Sequence, residues 1–402
     1  MSGLDDRRIL LVVTAGIAAY KCGYLVREML RRGAEVDVVM TPRAENFVGR
    51  ATFEGLTGRR LEEDIWDRPM AHLELGRDVD AVVVAPATAD FLARMAGGRA
   101  DDLASTAVLA ADGPVLVAPA MNTRMWENAA TRDNVAVLED RGVTVVGPDS
   151  GELAEGEVGP GRMAEPDTIV AETERMAFRA ACGGGPLDGE KIVVTAGPTR
   201  AHVDPVRFLT NRSSGRMGYG VAAAAWRRGA EVSLITGPGT VEPPHGPAVT
   251  DVETAEEMLD ALHRELAGSR ALVMSAAVSD FRPSAPETSK IKRGGRESLT
   301  LELVPGPDLL AETRQAREEG GIFTVGFALE TDDARENARR KLEEKGLQIV
   351  ALNEIGEETG LETTTNRVTL LEDDGTTEEW PLLSKDEAGE RLVRRIEERL
   401  EE

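Results

Sequence analysis

The sequence is poor in the residues from which disulfide frameworks and zinc sites are built. Its 402 residues include two cysteines and four histidines. Cys22 and Cys182 lie far apart and form no CxxC motif, and the histidines are scattered along the chain. Neither a disulfide framework nor a structural zinc site is therefore predicted.

Long apolar segments are missing as well. No run of about 18 apolar residues occurs, which is the length that a transmembrane helix needs. The first residues lack the basic and then apolar profile of a signal peptide. The formal net charge of −24 would repel nucleic acids and anionic membranes. We therefore expect a cytoplasmic protein that acts on small molecules and binds neither nucleic acid nor membrane.

Lysine is the scarce basic residue, since the chain has seven lysines and forty arginines. Five of the lysines fall in three short segments, 19–21, 290–292 and 341–345. A compact ammonium group is not interchangeable with the planar guanidinium of arginine, so this clustering favours sites in which space is tight. An acidic excess with few lysines also suggests adaptation to high salt.

A chain of this length usually forms two domains. In both halves, segments rich in aliphatic residues alternate with helix-forming segments, and the glycine-rich stretch 181–189 separates the halves. This alternation predicts parallel sheets covered by helices on both faces. The predicted fold class is α/β, with two open parallel-sheet domains of the Rossmann or flavodoxin type, residues 1–182 and 188–402. Their ligands are expected at the carboxyl ends of the strands.

The first predicted strand leads into a helix through Thr14-Ala-Gly-Ile-Ala-Ala-Tyr-Lys21. Free backbone amides at such a turn bind anions, and Gly16 allows a ligand to approach the backbone closely. The turn is not the GxGxxG fingerprint, and the second strand ends in Val39-Met40-Thr41 without an acidic residue for an adenosine ribose. A nicotinamide cofactor is therefore not favoured.

Five further motifs follow in this half: His72-Leu-Glu-Leu75, Ala85-Pro-Ala-Thr-Ala-Asp90, Asp102-Leu-Ala-Ser-Thr106, Ala118-Pro-Ala-Met-Asn122 and Gly159-Pro-Gly-Arg-Met163. In number and order they resemble those of the FMN-dependent cysteine decarboxylases, specifically phosphopantothenoylcysteine decarboxylase, across residues 8–180. The resemblance implies a set of residues that bind FMN and its phosphate: Thr14, Gly16, Ile17, Ala18, Thr41, Thr88, Ser105 and Thr106.

The same resemblance implies roles around the substrate. His72 would take the substrate thiol proton while the flavin accepts hydride, and Asn122 would hold the substrate carboxylate and amide. Arg162 and Met163 would belong to a flap that closes over the substrate. Taken without the family, His72 is more often an ordinary surface or core residue, and Asn122 would serve equally as a helix N-cap.

One position departs from the family pattern. Where the family usually carries a cysteine in a Leu-Ala-Cys-Gly stretch, this chain reads Leu153-Ala-Glu-Gly156. The family cysteine is thought to give a proton in the final reduction of the enethiol. Glu155 is predicted to be the proton donor in its place. Alternatively, Glu155 is a solvent-facing carboxylate, and water or His72 protonates the enethiol instead. A further alternative is that the flavin half no longer completes the decarboxylation.

The second half contains another set of motifs: Thr195-Ala-Gly-Pro-Thr-Arg200, Thr210-Asn-Arg-Ser-Ser-Gly-Arg-Met-Gly218, Ser275-Ala-Ala-Val-Ser-Asp280, Lys290-Ile-Lys292, Val325-Gly-Phe-Ala-Leu-Glu330 and Lys341-Leu-Glu-Glu-Lys345. Hydroxyls, glycines and an arginine at a helix start favour a triphosphate site, although the spacing is not that of a P-loop. Together the motifs resemble phosphopantothenate–cysteine ligase across residues 188–400. The bacterial type of this ligase uses CTP and forms an acyl-CMP intermediate.

This second resemblance also implies site residues. Asn211 would bind the acyl intermediate, and Asp280 would hold the ribose or a magnesium ion. Lys290 and Lys292 would close over the phosphates from a mobile flap. The other implied substrate-binding residues surround the triphosphate and the base: Ser213, Ser214, Gly215, Arg216, Phe327, Lys341 and Lys345.

The two halves together predict a bifunctional enzyme of coenzyme A biosynthesis. It would join phosphopantothenate to cysteine with CTP, and then decarboxylate phosphopantothenoylcysteine to phosphopantetheine on FMN. The resemblance implies a homo-oligomer in which trimeric flavin domains and dimeric ligase domains make a dodecamer. One alternative is a ligase whose flavin half stops short of decarboxylation; another is a flavodoxin-like electron carrier fused to a nucleotide sensor. The sequence does not separate CTP from ATP.

The replacement Glu155→Gln tests the proposed proton donor, because it keeps the shape of the side chain and removes its acid. We expect the variant to release carbon dioxide and reduce the flavin once, and then to stall with reduced flavin. A glutamate with its ordinary pKa of about 4.3 is ionised at neutral pH, so a raised pKa is required in the parent. Stopped-flow flavin absorbance and carbon dioxide release check this; repeated turnover at the parent rate with an unchanged pH profile would contradict it.

Overall fold

The computed structural model describes residues 3–62, 66, 68–154, 156–293, 298–330, 333–354 and 363–401. The chain divides into two compact units, Met1–Gly184 and Gly185–Glu402. Each unit is built on a parallel or mostly parallel sheet with helices on both faces, which confirms the predicted α/β fold class. Among the described residues, no helix has both the length and the apolar character needed to span a bilayer.

Among its described residues, the N-terminal unit has seven strands: β1 (Arg8–Val13), β2 (Glu35–Met40), β3 (Ala81–Ala87), β4 (Val115–Pro119), β5 (Thr144–Val145), β6 (Asp149–Glu152) and β7 (Val158–Arg162). Its α-helices are α1 (Cys22–Arg31), α2 (Arg50–Thr57), α3 (Ala71–Gly76), α4 (Ala89–Ala96), α5 (Leu103–Leu109), α6 (Thr123–Trp126), α7 (Ala129–Asp140) and α8 (Pro166–Cys182). Two 3-10 helices span Ile17–Lys21 and Ala44–Asn46. The first five strands form a parallel sheet in the order β2-β1-β3-β4-β5, and β6 pairs with β7 in an antiparallel hairpin.

The central strand β1 shows why this sheet is covered on both sides. All residues from Ile9 to Val13 are buried, and successive side chains of a strand point to opposite faces. Ile9 and Leu11 pack with apolar residues of α1 and α8, whereas Leu10 and Val12 pack with those of α4, α5 and α7. The segment from Ile9 to Val13 is therefore aliphatic throughout because helices cover both faces of the sheet.

The C-terminal unit contains fourteen strands: β8 (Lys191–Ala196), β9 (Arg200–His202), β10 (Phe208–Thr210), β11 (Glu231–Thr236), β12 (Ala248–Asp251), β13 (Ala271–Met274), β14 (Phe281–Pro283), β15 (Leu303–Pro305), β16 (Phe323–Glu330), β17 (Ile349–Glu354), β18 (Thr365–Asn366), β19 (Val368–Glu372), β20 (Thr377–Glu379) and β21 (Leu383–Ser384), counted over the described residues. Its helices are α9 (Arg216–Arg227), α10 (Ala255–Glu265), α11 (Leu309–Glu312), α12 (Arg314–Gly320), α13 (Ala334–Lys345) and α14 (Lys385–Glu401).

The main sheet of this unit has the order β12-β11-β8-β13-β16-β17-β19-β20. Its first six strands are parallel and follow the doubly wound arrangement, whereas β19 runs antiparallel to both β17 and β20. The sequence analysis predicted open parallel sheets, so the antiparallel edge is an addition. Three short antiparallel pairs, β9–β10, β14–β15 and β18–β21, lie outside the main sheet.

The helices α9 and α14 cross at two glycines. A Cβ on Gly389 would lie 2.5 Å from the carbonyl carbon of Gly220, and a Cβ on Gly220 would lie 2.8 Å from the carbonyl oxygen of Lys385. Neither distance is compatible with a side chain. The close contact buries the apolar face of α14, including Leu392 and Ile396.

The replacement Gly389→Ala should destabilise the C-terminal unit by about 1–3 kcal/mol, because the added methyl group forces the two helices apart. The matched control is Gly55→Ala in α2, where no atom lies within 4 Å of the added Cβ. That variant should stabilise the N-terminal unit by about 0.5–1 kcal/mol. Hydrogen exchange measured peptide by peptide reports the two units separately, and unchanged protection of α9 and α14 in Gly389→Ala would refute the expectation.

Candidate active sites

The strand order of the N-terminal unit leaves a crevice between β1 and β3. The chain passes from β1 to β2 on one side and then to β3 on the other, and open α/β sheets bind ligands at the carboxyl ends of the strands at such a switch point. Thr14 follows β1 and Thr88 follows β3. The Thr14 hydroxyl donates to the carbonyl of Pro86 (2.5 Å) and accepts from the backbone N–H of Thr88 (3.3 Å). The predicted residues Thr14 and Thr88 therefore meet at this edge.

Gly16 lies where these two loops come together. A Cβ at this position would lie 3.5 Å from the side chain of Pro86 and 3.6 Å from that of Thr88. The residues that follow form the 3-10 helix Ile17–Lys21, and α-helix begins only at Cys22. Because Ala18 is half-buried and Ile17 is 64% exposed, the loop leads from the buried strand end to the surface.

Three of the predicted cofactor hydroxyls are engaged at helix starts. The Thr88 hydroxyl accepts from the backbone N–H of Phe91. Ser105 forms a capping box with Asp102, and the Thr106 hydroxyl donates to the Asp102 carbonyl (2.7 Å). These contacts agree with the simpler interpretation of Ser105 and Thr106 as residues that satisfy the backbone. Their role toward FMN stays a prediction.

Thr41 differs from these residues. Its hydroxyl is buried and has no hydrogen-bond partner in the described part of the chain. Its backbone N–H donates to the carbonyl of Val13, so Thr41 lies beside Thr14 at the carboxyl ends of β2 and β1. Leaving a buried hydroxyl without a partner costs about 1–3 kcal/mol. The residues at this edge therefore fit a ligand with hydrogen-bonding oxygens, such as the phosphate of a flavin.

His72 lies in the first turn of α3. This helix packs closely on α5 because it ends in a glycine: a Cβ on Gly76 would lie 3.0 Å from the carbonyl oxygen of Ala107. The Nδ1 atom of His72 is buried and makes no hydrogen bond within the described residues. One ring nitrogen is thus unpaired, but the structure does not join His72 to Asn122 by a hydrogen bond.

Asn122 caps α6 and also contacts the loop of the hairpin β6–β7. Its Oδ1 accepts from the backbone N–H of Arg124 (2.8 Å), and its Nδ2 donates to Glu157 (3.2 Å). The guanidinium of Arg124 donates to the other carboxylate oxygen of Glu157 (3.0 Å). The side chain of Asn122 therefore caps the helix and contacts the carboxylate of Glu157 at the same time. Glu157 and Arg124 were missed by the sequence analysis, because neither belongs to the conspicuous part of a motif.

The far end of the same hairpin is attached to the start of α1. Lys21 donates to the carbonyl of Met163 (3.3 Å) and pairs with Glu165 (2.9 Å), which also pairs with Arg162 (2.9 Å). The hydrogen bond from Lys21, reinforced by the charge of Arg162, holds the pKa of Glu165 below its usual value. Arg162 and Met163 thus lie at the base of the hairpin, and the Met163 side chain is buried.

Glu155 lies outside the described residues, so its role stays a prediction. Cys22 offers no substitute acid in this unit. Its thiol donates to the carbonyl of Ala85 (3.1 Å), and burial raises its pKa to about 12. A thiol with such a pKa does not deliver a proton at neutral pH.

The C-terminal unit has its switch point between β8 and β13, where the loops join backbone to backbone. The N–H of Ala277 donates to the carbonyl of Gly197 (2.9 Å), and the N–H of Thr199 donates to the carbonyl of Ala277 (3.3 Å). Gly197 has a φ of +71°, and a Cβ there would lie 2.5 Å from the carbonyl oxygen of Gly237. Both the left-handed backbone and the contact with the loop after β11 require glycine.

Asn211 lies over this switch point. Its Nδ2 donates to the carbonyls of Ala277 (3.2 Å) and Val278 (3.0 Å), and the preceding Thr210 hydroxyl donates to the carbonyl of Thr199 (2.9 Å). These contacts hold an exposed amide at the mouth of the crevice. The position agrees with that expected of a substrate-binding residue.

The predicted phosphate loop leads directly into α9. Gly215 is the N-cap with a φ of 82°, and its N–H lies 3.4 Å from the hydroxyl of Ser213. Ser214 is buried, whereas Arg216 is exposed in the first turn of the helix. Unpaired backbone N–H groups and the dipole of a twelve-residue helix favour an anion at this end.

Lys341 and Lys345 lie one turn apart on α13. Lys341 donates to the carbonyl of Phe327 (2.7 Å), and Lys345 pairs with Asp308 (2.5 Å). Burial alone would raise the pKa of Asp308, but the hydrogen bond from Lys345 lowers it below its usual range. Asp308 was missed by the sequence analysis, although it precedes a helix and follows the Pro-Gly-Pro turn at 305–307, a pattern typical of an N-cap.

Asp280, Lys290 and Lys292 are all exposed. The carbonyl of Asp280 accepts from the N–H of Gly306 (2.8 Å). This hydrogen bond joins the start of β14 to the end of β15. The described residues contain no group of three or more His, Cys, Asp or Glu that could hold a metal ion. Mg²⁺ needs only one or two carboxylates when a nucleotide supplies phosphate oxygens, so Asp280 fits an ion that arrives with its nucleotide.

Comparisons with known proteins divide the chain in the same way. The Flavoprotein family model matches residues 2–177, and the model of the DNA/pantothenate metabolism flavoprotein C-terminal domain matches residues 187–400. The chain is 41% identical over 403 residues to the Coenzyme A biosynthesis bifunctional protein CoaBC of Vibrio vulnificus, a match that covers 99% of each chain. It is 44% identical over 382 residues to the protein of the same name from Mycobacterium tuberculosis, with 92% of this chain and 91% of that one covered.

A crystal structure of the C-terminal domain of a CoaBC protein is 35% identical to this chain, covers 54% of it and 99% of that domain, and aligns with a TM-score of 0.46. The sequence comparisons alone span both halves in the order in which the motifs predicted them. The predicted family is thereby confirmed: the chain belongs to the CoaBC proteins, the bifunctional enzymes of coenzyme A biosynthesis that combine a flavoprotein decarboxylase with a ligase.

Proposed function

We propose that the C-terminal unit joins phosphopantothenate to cysteine at the expense of CTP, and that the N-terminal unit then decarboxylates phosphopantothenoylcysteine to phosphopantetheine with FMN. The observation that carries the proposal is the position of Asn211, whose amide is fixed over the switch point between β8 and β13. A site for an acyl intermediate needs such an amide beside a phosphate-binding helix start, and Gly215 begins that helix four residues later.

In the ligase reaction, the substrate carboxylate attacks the α-phosphorus of CTP, and pyrophosphate leaves as the acyl-CMP forms. The amine of cysteine then displaces CMP and loses a proton. Negative charge develops on phosphate oxygens in the first step, and fixed cations and N–H groups stabilise it. Arg216 and the N-terminus of α9 supply these groups on one side, and the exposed Lys290 and Lys292 supply mobile cations. The hydrogen bond from Lys341 to the carbonyl of Phe327 supports a binding site for the nucleotide base beside these two residues.

In the flavin unit, Thr14, Gly16 and Thr41 would hold FMN together with the loop 17–18. When bound, FMN supplies the electron acceptor for oxidation of the substrate thiol, the step that makes the carboxylate labile. His72 would hold the thiol proton on its unpaired ring nitrogen. Asn122 and Arg124, which bind the Glu157 carboxylate in this structure, would orient the substrate carboxylate.

The proposed enzyme works in the cytoplasm as a homo-oligomer, with Mg²⁺ accompanying CTP. Exposed apolar side chains near the flavin loop support an association between subunits: Ile17 is 64% exposed, Tyr20 58% and Tyr24 64%. The arrangement of trimers and dimers in a dodecamer rests on the family resemblance.

The hydroxyl of Thr41 is proposed as a ligand of FMN, so Thr41→Val should weaken FMN binding by about tenfold, as expected for the loss of a hydrogen bond to a charged group. The same change should leave the FMN-free protein at least as stable, because no protein partner is lost. Thr173→Val is the matched control, since Thr173 is buried in the same unit, lies outside the predicted FMN-binding set, and its hydroxyl donates to the carbonyl of Ile169; it should change FMN affinity less. Fluorescence titration with FMN measures both, and equal affinities for Thr41→Val and the parent would contradict the assignment.

The variant Asn211→Ala should retain nucleotide binding and lose most amide formation, because the amide serves the acyl intermediate rather than the triphosphate. Pyrophosphate release and formation of phosphopantothenoylcysteine are measured separately, with CTP and with ATP. The parent should prefer CTP. Carbon dioxide release from added phosphopantothenoylcysteine should be unaffected, since it depends on the other unit.

Normal amide formation by Asn211→Ala would remove Asn211 from the site. Absence of carbon dioxide release in the parent, with ligation intact, would instead favour the alternative of a ligase whose flavin half does not complete decarboxylation.

A further inference from the structure

Asp204 lies in the turn between β9 and β10 and belongs to none of the motifs assigned to either reaction. Its side chain has no exposed surface. A buried carboxylate is unfavourable unless donors surround it, so the partners of Asp204 indicate what it does.

The two oxygens of Asp204 have different partners. Oδ1 accepts from the backbone N–H groups of Val206 and Arg207, both at 2.8 Å, which closes the local turn. Oδ2 accepts from the guanidinium of Arg207 (2.7 Å) and from the backbone N–H of Ile291 (3.0 Å). Burial alone would raise the pKa of Asp204, but these donors outweigh it and lower the pKa below its usual value. The carboxylate is therefore ionised at neutral pH.

Ile291 stands 87 residues after Asp204 in the chain, between Lys290 and Lys292. Both main-chain groups of Ile291 are bound, because its carbonyl accepts from the guanidinium of Arg207 (3.1 Å). Ile291 is half-buried, whereas the two lysines are exposed. A second contact, from the N–H of Glu287 to the carbonyl of Val203 (3.0 Å), ties the same segment to the same turn.

We propose that Asp204 is a positioning residue for the ligase reaction: by holding the backbone of Ile291, it sets where Lys290 and Lys292 reach the nucleotide. This inference rests on the proposed function of the two lysines as cations that close over the phosphates. Without the hydrogen bond from Ile291 to Asp204, Lys290 and Lys292 keep their charges, but the backbone from which their side chains extend is no longer held in place. Misplacement of a reacting or binding group by about 1 Å can reduce a rate by up to about 100-fold.

The separate partners of the two oxygens allow a selective test. In Asp204→Asn, the amide oxygen takes the place of Oδ1 and keeps the turn, whereas the amide nitrogen takes the place of Oδ2 and cannot accept from Ile291 or from the guanidinium of Arg207. Ile291→Pro removes the same hydrogen bond from the other side and leaves the turn untouched. The matched control is Asp374→Asn, because Asp374 also accepts a backbone N–H within its own turn, from Thr376 (2.7 Å).

The first measurement is limited trypsin digestion of the full chain. Cleavage after Lys292 should be faster in Asp204→Asn and in Ile291→Pro than in the parent, while cleavage outside this segment is unchanged. Cleavage after Lys290 is compared only between the parent and Asp204→Asn, because trypsin does not cut a bond that precedes proline. Asp374→Asn should match the parent. Equal cleavage after Lys292 in all four proteins would overturn the anchor, and this readout does not depend on the enzymatic assignment.

The second measurement is pyrophosphate release with CTP. We expect kcat to fall by roughly tenfold in Asp204→Asn, with little change in KM for phosphopantothenate and none in carbon dioxide release by the flavin unit. Lys290→Met in the Asp204→Asn background should add less than it does in the parent, because residues that act through one another are not additive. Additive losses would overturn the inference even if cleavage is faster. If the parent itself releases no pyrophosphate from CTP, the proposed function fails while the digestion still decides whether Asp204 anchors the segment.

If Asp204→Asn does not fold, hydrogen-exchange protection of the strands in the C-terminal unit will be lost, and Ile291→Pro then decides. That variant removes the hydrogen bond from Ile291 to Asp204 and leaves the carboxylate in place, so a parent-like kcat in folded Ile291→Pro would refute the positioning role.

Discussion

Parallel strands bring their carboxyl ends to one edge of a sheet. Where the strand order reverses, the loops that follow two neighbouring strands start side by side and then lead away in opposite directions, which leaves a crevice for a ligand. Both units of this protein are organised by this constraint. In the N-terminal unit it brings Thr14 and Thr88 into contact, and in the C-terminal unit it brings Gly197 and Ala277 together. Gly16 lies beside the first of these contacts and Asn211 beside the second, since the loops carry the side chains and the strands fix the loops.

The loops at the two edges differ in how completely their polar groups are satisfied. Around β8 and β13, backbone and side-chain groups bond to one another, and Asn211 is fixed by two carbonyls. In the N-terminal unit, the Thr41 hydroxyl and the Nδ1 atom of His72 are buried without partners in the described residues. Folded proteins seldom leave such groups unpaired. The buried hydroxyl of Thr41 at the carboxyl end of β2 therefore fits a resident ligand of the N-terminal unit.

The fold class and the motif residues could be predicted from the sequence, because the alternation of strands and helices, glycine turns and helix caps are local properties. The antiparallel pairing of β19 with β17 was not predicted, since the place of β19 in the main sheet depends on its neighbour rather than on its own pattern. The contacts that complete the candidate sites are also remote in sequence. Glu157 reaches Asn122 across 35 residues, Lys345 reaches Asp308 across 37, and Asp204 reaches Ile291 across 87. No motif spacing contains this information.

The glycine contact between α9 and α14 has a consequence for synthesis of the chain. The helix α9 is complete at residue 227, but the helix that covers it begins only at residue 385. At about 5–20 residues per second, the ribosome needs roughly ten seconds or more to make the partner. During that time the face of α9 that carries Gly220 remains uncovered, whereas all strands of the N-terminal unit have already emerged. The ligase unit is therefore the half of the nascent chain that is more exposed to chaperones and to aggregation during translation.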